Sequence, residues 1–154
     1  MTFDPDVQLA HEAECFASSC TSLLSRVILT PCPEFVADGM LGNGVFFVKQ
    51  KESSIPLVRT DGELVLSLQA KFDCRLGGKD RQMKTLKSEI KVFPATDGPA
   101  RPLVRYDFVE DPIGDVPAAH VQFHAPHPEL EQAMTRADAG TRRGKQRKKR
   151  VDSG

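Results

Sequence analysis

Three of the four histidines fall in one short stretch, His120-Val-Gln-Phe-His124-Ala-Pro-His127, with Glu129 beside them and Arg105 and Asp107 a little upstream. Imidazole, carboxylate and guanidinium are the groups that move a proton, orient an imidazole and hold an anion. In that chemistry Asp107 orients His120 as a general base, and Arg105 holds a phosphate-like group. Such a trio suits hydrolysis or transfer at a phosphodiester or acyl centre. No nucleophile motif accompanies it. The chain has no G-x-S-x-G, no P-loop, no H-E-x-x-H and no dinucleotide glycine fingerprint. The plainer reading is a solvated polar sheet face, on which Asp107 and His120 make a cross-strand ion pair worth under about 1 kcal/mol. The sequence favours that reading.

The same histidines are the only candidates for a divalent metal, and no other cofactor is implied. On a strand, positions four apart are separated by about 13 Å, too far for His120 and His124 to grip one ion. On a helix that spacing would suit a metal, but strict alternation and the residues Val121 and Phe123 favour a strand. The metal candidate that survives is His124 with His127 and a residue from another strand. Cys15, Cys20, Cys32 and Cys74 contain no C-x-x-C pair. Cys15 and Cys20 lie about 140° apart around a helix, so they read as buried structural thiols in a reducing compartment.

The elements that must position these residues are legible from periodicity. A helix is expected from about Pro5 to Arg26: Asp4 caps it, Pro5 suits its first position, and Asp6 favours the positive end of its dipole. Leu9, Phe16 and Leu23 repeat at seven, with Ala13, Cys20, Leu24 and Val27 on the same side. Thr30-Pro31-Cys32-Pro33 then stops the helix. Strand signals follow. Val45–Val48 comes after the glycine-rich turn Gly39–Gly44, whose spacing does not fit a phosphate loop. Asp61-Gly62 is a hairpin turn, and from Leu64 to Cys74 apolar residues alternate with a period of two. Leu86, Ser88, Ile90 and Val92 alternate likewise.

In the last two strands, Val104, Tyr106 and Phe108 share a face, as do Ala119, Val121, Phe123 and Ala125. Matching those faces in an antiparallel hairpin allows a register with Asp107 opposite His120, Arg105 opposite Gln122, and Leu103 opposite His124. Slips that preserve the faces would change the partners. Pro126-His127-Pro128 ends the sheet, and Pro128 to Met134 begins a second helix that frays near Gly140. The expected fold is α+β: an antiparallel sheet of five or six strands with a helix from each end covering one face, and the other face open. Residues 1–139 form one domain, and residues 140–154 are a basic tail or linker, disordered when alone.

A zero net charge conceals an asymmetry. Residues 1–135 carry 13 Lys/Arg against 19 Asp/Glu, whereas residues 136–154 carry eight basic residues against two acidic ones. Arg142, Arg143, Lys145, Arg147, Lys148, Lys149 and Arg150 are placed to displace counterions from nucleic acid or another polyanion, without reading sequence. No aromatic residue in the tail offers base stacking. No apolar run approaches the roughly 18 residues that a membrane helix requires, and the N-terminus lacks a signal pattern, so a cytoplasmic setting is expected.

Arg105-Tyr106-Asp107 followed by His127-Pro128-Glu129 resembles TumE-like bacterial toxin proteins, whose short chains carry an Arg-aromatic-Asp strand followed by histidines. The resemblance covers only these few residues and implies a toxin–antitoxin setting. The leading expectation from the residues is a small binding protein. Its body contacts a protein partner, and its tail adds non-specific nucleic-acid affinity. The rival is a phosphodiester- or nucleotide-processing enzyme built on the His/Asp/Arg face.

Overall fold

The computed structural model describes residues 4–28, 33–40, 42–78, 81–95, 101–115, 117–124 and Pro128. These form a helix, α1 (Pro5–Ser25), and seven strands. The strands are β1 (Phe35–Gly39), β2 (Phe46–Gln50), β3 (Ile55–Val58), β4 (Leu64–Leu76), β5 (Met83–Pro94), β6 (Val104–Val109) and β7 (Ala119–Phe123). The class is α+β, with one antiparallel sheet ordered β1-β2-β4-β5-β6-β7 and β3 added to the outer half of β4. The expected second helix and the basic tail lie outside the described residues, Pro128 apart. No helix among the described residues is long and apolar enough to cross a membrane.

Helix α1 begins as its sequence dictates. The Asp4 carboxylate accepts the Asp6 N–H at 3.0 Å, and Pro5 occupies the first helical position, where its missing N–H costs nothing. Leu9, Ala13 and Ala17 are buried, and Phe16, Cys20 and Leu24 pack beside them. The alanines carry no bulk, so the helix lies close to the sheet. Two expected members of the stripe are on the solvent side: Leu23 is 64% exposed and Val27 is 71% exposed. Leu23 sits on the flank of a stripe that advances by about 100° per residue, and Val27 lies beyond the end of the helix. Polar groups on α1 also hold distant loops. Asp6 accepts from Gly42 N, Gln8 donates to the Arg81 carbonyl, and Glu12 accepts from Met83 N.

The sheet has seven strands because β3, which the Asp61-Gly62 turn pairs with β4, and β1 join the five runs read from the sequence. Phe35 and Ala37 of β1 face α1 beside Phe46 and Val48 of β2. Gly39 pairs with Phe46, and a side chain at Gly39 would meet the Phe46 ring at 2.8 Å. β4 is served by two partners on one edge, β2 along residues 71–74 and β3 along residues 64–68. In the gap between them the Ala70 N–H is taken at 2.8 Å by Oε1 of Gln50, so a side chain completes the ladder.

The core forms where α1 crosses the sheet, chiefly over β1 and β2, less over β4 and least over β5. Register carries the same face outward without a break. Ala70 pairs with Ile90, Ile90 with Tyr106, and Tyr106 with Val121. Burial falls away along this row, from Ala70 at 6% exposed to Val121 at 51%. Phe123 at the sheet edge is 75% exposed. The opposite face is charged along its middle, although Val65 of β4 and Leu103, just before β6, are buried.

Candidate functional site

β6 lies between β5 and β7, and the register fixes which side chains meet on the charged face. Glu89 pairs with Asp107, Lys91 with Arg105, Asp107 with His120, and Arg105 with Gln122. His124 N donates to the Leu103 carbonyl at 3.2 Å. The expected hairpin register is therefore the observed one at all three positions. Apolar matching selected the parity, and the Glu110–Pro117 connection is long enough to leave the pairing free to satisfy it.

A line of alternating charge results. Lys91 Nζ lies 2.8 Å from Glu89 Oε1, and Arg105 Nη2 lies 3.0 Å from Glu89 Oε2. Arg105 Nε approaches Asp107 Oδ2 at 2.6 Å, and His120 Nε2 stands 3.5 Å from the same oxygen. Asp107 is only 4% exposed, although it points to the charged face. The Arg105 contact is an ion pair and not a well-directed hydrogen bond, since Arg105 Nε and both Asp107 oxygens lack a hydrogen-bond partner. Contact with Asp107 raises the already high pKa of the guanidinium, so Arg105 stays charged.

The structure thus brings Arg105, Asp107 and His120 together and adds two residues that the sequence does not single out, Glu89 and Lys91. Their shared face is readable from the alternation of β5, but their partners are not, because the β5–β6 connection gives no register signal. The arrangement constrains chemistry. Arg105 is held by two carboxylates through Nη2 and Nε, which offset its charge toward an incoming anion. His120 turns Nε2 toward Asp107, and its Nδ1 is buried without a partner. Nδ1, the nitrogen turned away from Asp107, is not presented to a substrate. In this geometry Glu89, Arg105 and Asp107 form an ion-pair strut tying β5 to β6, with the His120 ring of β7 3.5 Å from Asp107. With Asp107 orienting the ring through Nε2, acid–base use of His120 falls to Nδ1, which would first have to be uncovered.

Beside the strut a shallow hollow of about 170 Å³ is lined by Lys49, Gln50, Gln69, Ala70, Lys71, Glu89 and Lys91. Its lysines are themselves paired: Lys49 with Asp38 at 2.9 Å, Lys71 with Asp73 at 3.4 Å, and Lys91 with Glu89. A larger hollow of about 330 Å³ lies elsewhere, between Pro33-Glu34, Gln50–Glu52 and Ser54–Pro56. Neither hollow is lined by Asp107 or His120.

Among the described residues, no group of three or more His, Cys, Asp or Glu side chains is arranged to hold a metal ion. His124 follows the end of β7, and His127 lies outside the described residues, as do Cys32 and the basic residues from Arg142 to Arg150. Cys15 is exposed and not buried as expected, because it faces away from the helix stripe, whereas Cys74 is buried under it. Burial pushes the Cys20 and Cys74 thiols above their ordinary pKa.

No family model, no curated protein and no solved structure matches the chain. The resemblance to toxin proteins gains nothing beyond the residues that carry it.

Proposed function

We propose that this chain is a small binding protein. Its body, residues 1–139, offers an interaction surface to a protein partner, and the segment 140–154 contacts nucleic acid or another polyanion. The body in this reading includes a second helix over residues 128–139, and its setting is cytoplasmic. The supporting observation is the state of the body's cations. Lys49, Lys71, Lys91 and Arg105 on the charged face are each matched by a carboxylate. Over residues 1–135 carboxylates outnumber cations, 19 Asp/Glu to 13 Lys/Arg, and the positive excess is gathered in Arg142, Arg143, Lys145, Arg147, Lys148, Lys149 and Arg150. Each cation that meets a phosphate releases condensed counterions, so affinity falls steeply with salt.

The test is a titration with a mixed-sequence duplex and a single strand across salt concentrations. The native chain is compared with a full-length variant in which those seven residues are changed to glutamine. The slope of log affinity against log salt is expected to fall by roughly 0.7–0.9 for each phosphate that the altered tail no longer neutralises. Equal binding by both proteins would show that nucleic acid does not bind through the tail.

A second reading, a phosphodiester-processing enzyme that includes the toxin–antitoxin case, draws on one observation: a nearly buried carboxylate beside an imidazole. It assigns Asp107 to orient His120 and Arg105 to hold phosphate, with a divalent metal at His124 and His127 as a further option. Hydrolysis of an activated phosphodiester, lost in His120→Ala without loss of fold, would support it.

A further inference from the structure

The half of the sheet that α1 leaves bare needs a cover. Three cross-strand rows cross β5, β6 and β7 on the α1 side: Val92–Val104–Phe123, Ile90–Tyr106–Val121 and Ser88–Phe108–Ala119. They continue the core, yet Val121 and Phe123 are 51% and 75% exposed. Contiguous apolar surface of this kind marks a packing or docking site.

We propose that residues 128–139 of the same chain form a helix that packs antiparallel to β7 on these rows, bringing the root of the basic tail to the acidic loop between β6 and β7. Four observations on the chain carry this. Leu130, Ala133, Met134 and Ala137 stand at i, i+3, i+4 and i+7, one apolar stripe, with Glu131, Gln132, Thr135 and Arg136 off it. Pro128 and Glu129 suit the first turn of a helix. Residues 124–127 reach about 13 Å when extended, enough to pass from the sheet edge to a layer packed about 10 Å away. Twelve helical residues span about 18 Å, close to the length of the five-residue β7.

Charge then agrees with direction. A helix running back along β7 ends near its start, beside Glu110, Asp111 and Asp115. The next basic residues of the chain are Arg142 and Arg143. A second copy is a poorer occupant, because bodies of net charge −6 repel one another. The cover stands independently of the polyanion reading. If both hold, the acidic loop and nucleic acid compete for the first arginines of the tail.

The experiment is amide hydrogen exchange on the full chain without nucleic acid, read on peptides spanning 128–139. At least about tenfold slower exchange than an unstructured peptide is expected there. Val121→Asp/Phe123→Asp should abolish that protection and leave α1 protected, which reports an intact body. Exchange at the unstructured rate in the native chain overturns the proposal. So does protection that survives the double substitution, since the segment then docks elsewhere. Protection that grows with protein concentration alongside a dimer mass would assign the face to a second copy and overturn it too.

Discussion

Ala70 and Val121 occupy the same row of the same sheet face and share little else. Around Ala70 the apolar face is closed by α1, and Val48 and Leu9 are almost wholly buried. Around Val121 the alternation is as regular, but among the described residues nothing lies over it. Alternation specifies which face a residue takes. Only a second layer decides whether that face stabilises the fold.

The sharpest way to press this contrast is to remove bulk under the helix. Leu9→Ala should cost about 3–4 kcal/mol in denaturant unfolding, because the rigid helix–sheet interface cannot collapse onto the cavity. A cost below about 1 kcal/mol would show that the α1-backed half is not the core. The charged face offers the next effect. Arg105→Ala leaves Asp107 nearly buried without its counter-charge and should cost about 3 kcal/mol, whereas Arg105→Ala/Asp107→Ala should recover much of it. Additive costs in the double variant would remove the strut.

Smaller still is Gln50→Leu. It strands the Ala70 N–H between two strands and should cost about 1–3 kcal/mol by the same measurement. On the open half, Val121→Ala should cost about 1 kcal/mol in the native chain and close to nothing once Leu130→Asp/Met134→Asp is present. That coupling separates a covered edge from a bare one. The least perturbing probe is thiol labelling. Cys15 should react first and Cys74 last, and the order should persist as pH rises past the ordinary thiol range. Burial pushes the Cys74 thiol above its ordinary pKa and closes it to reagent, whereas Cys15 is exposed. Equal labelling would mean that the region around Cys74 opens freely.

What is legible in the sequence follows from which forces are local. The start of α1 is readable because Asp4, Pro5 and Asp6 act on their own neighbours. The Asp107–His120 pairing is readable because one face of each strand has to be apolar. Strand β1 escapes such reading because Phe35-Val-Ala-Asp-Gly39 is short and half polar, and its pairing with Phe46–Gln50 fixes it only after folding. Parity places Val65 and Leu103 on the polar side, yet both are buried, which no periodicity announces. Glu89 and Lys91 enter the candidate site through the β5–β6 register, for which the sequence between those strands carries no signal. The site is therefore half visible: its three named residues by pairing rules, its neutralising partners only in three dimensions.

The ties from α1 to the far side of the sheet set an order of events at synthesis. Glu12 waits for the amide of Met83, 71 residues later, and Gln8 for the carbonyl of Arg81, 73 residues later. At about 5–20 residues per second, the helix emerges several seconds before the strand that anchors its first turns exists. Through that interval only β1, β2 and then β4 are available to shelter the apolar stripe, so the polar ties to Arg81 and Met83 can only close a helix–sheet packing that earlier strands begin.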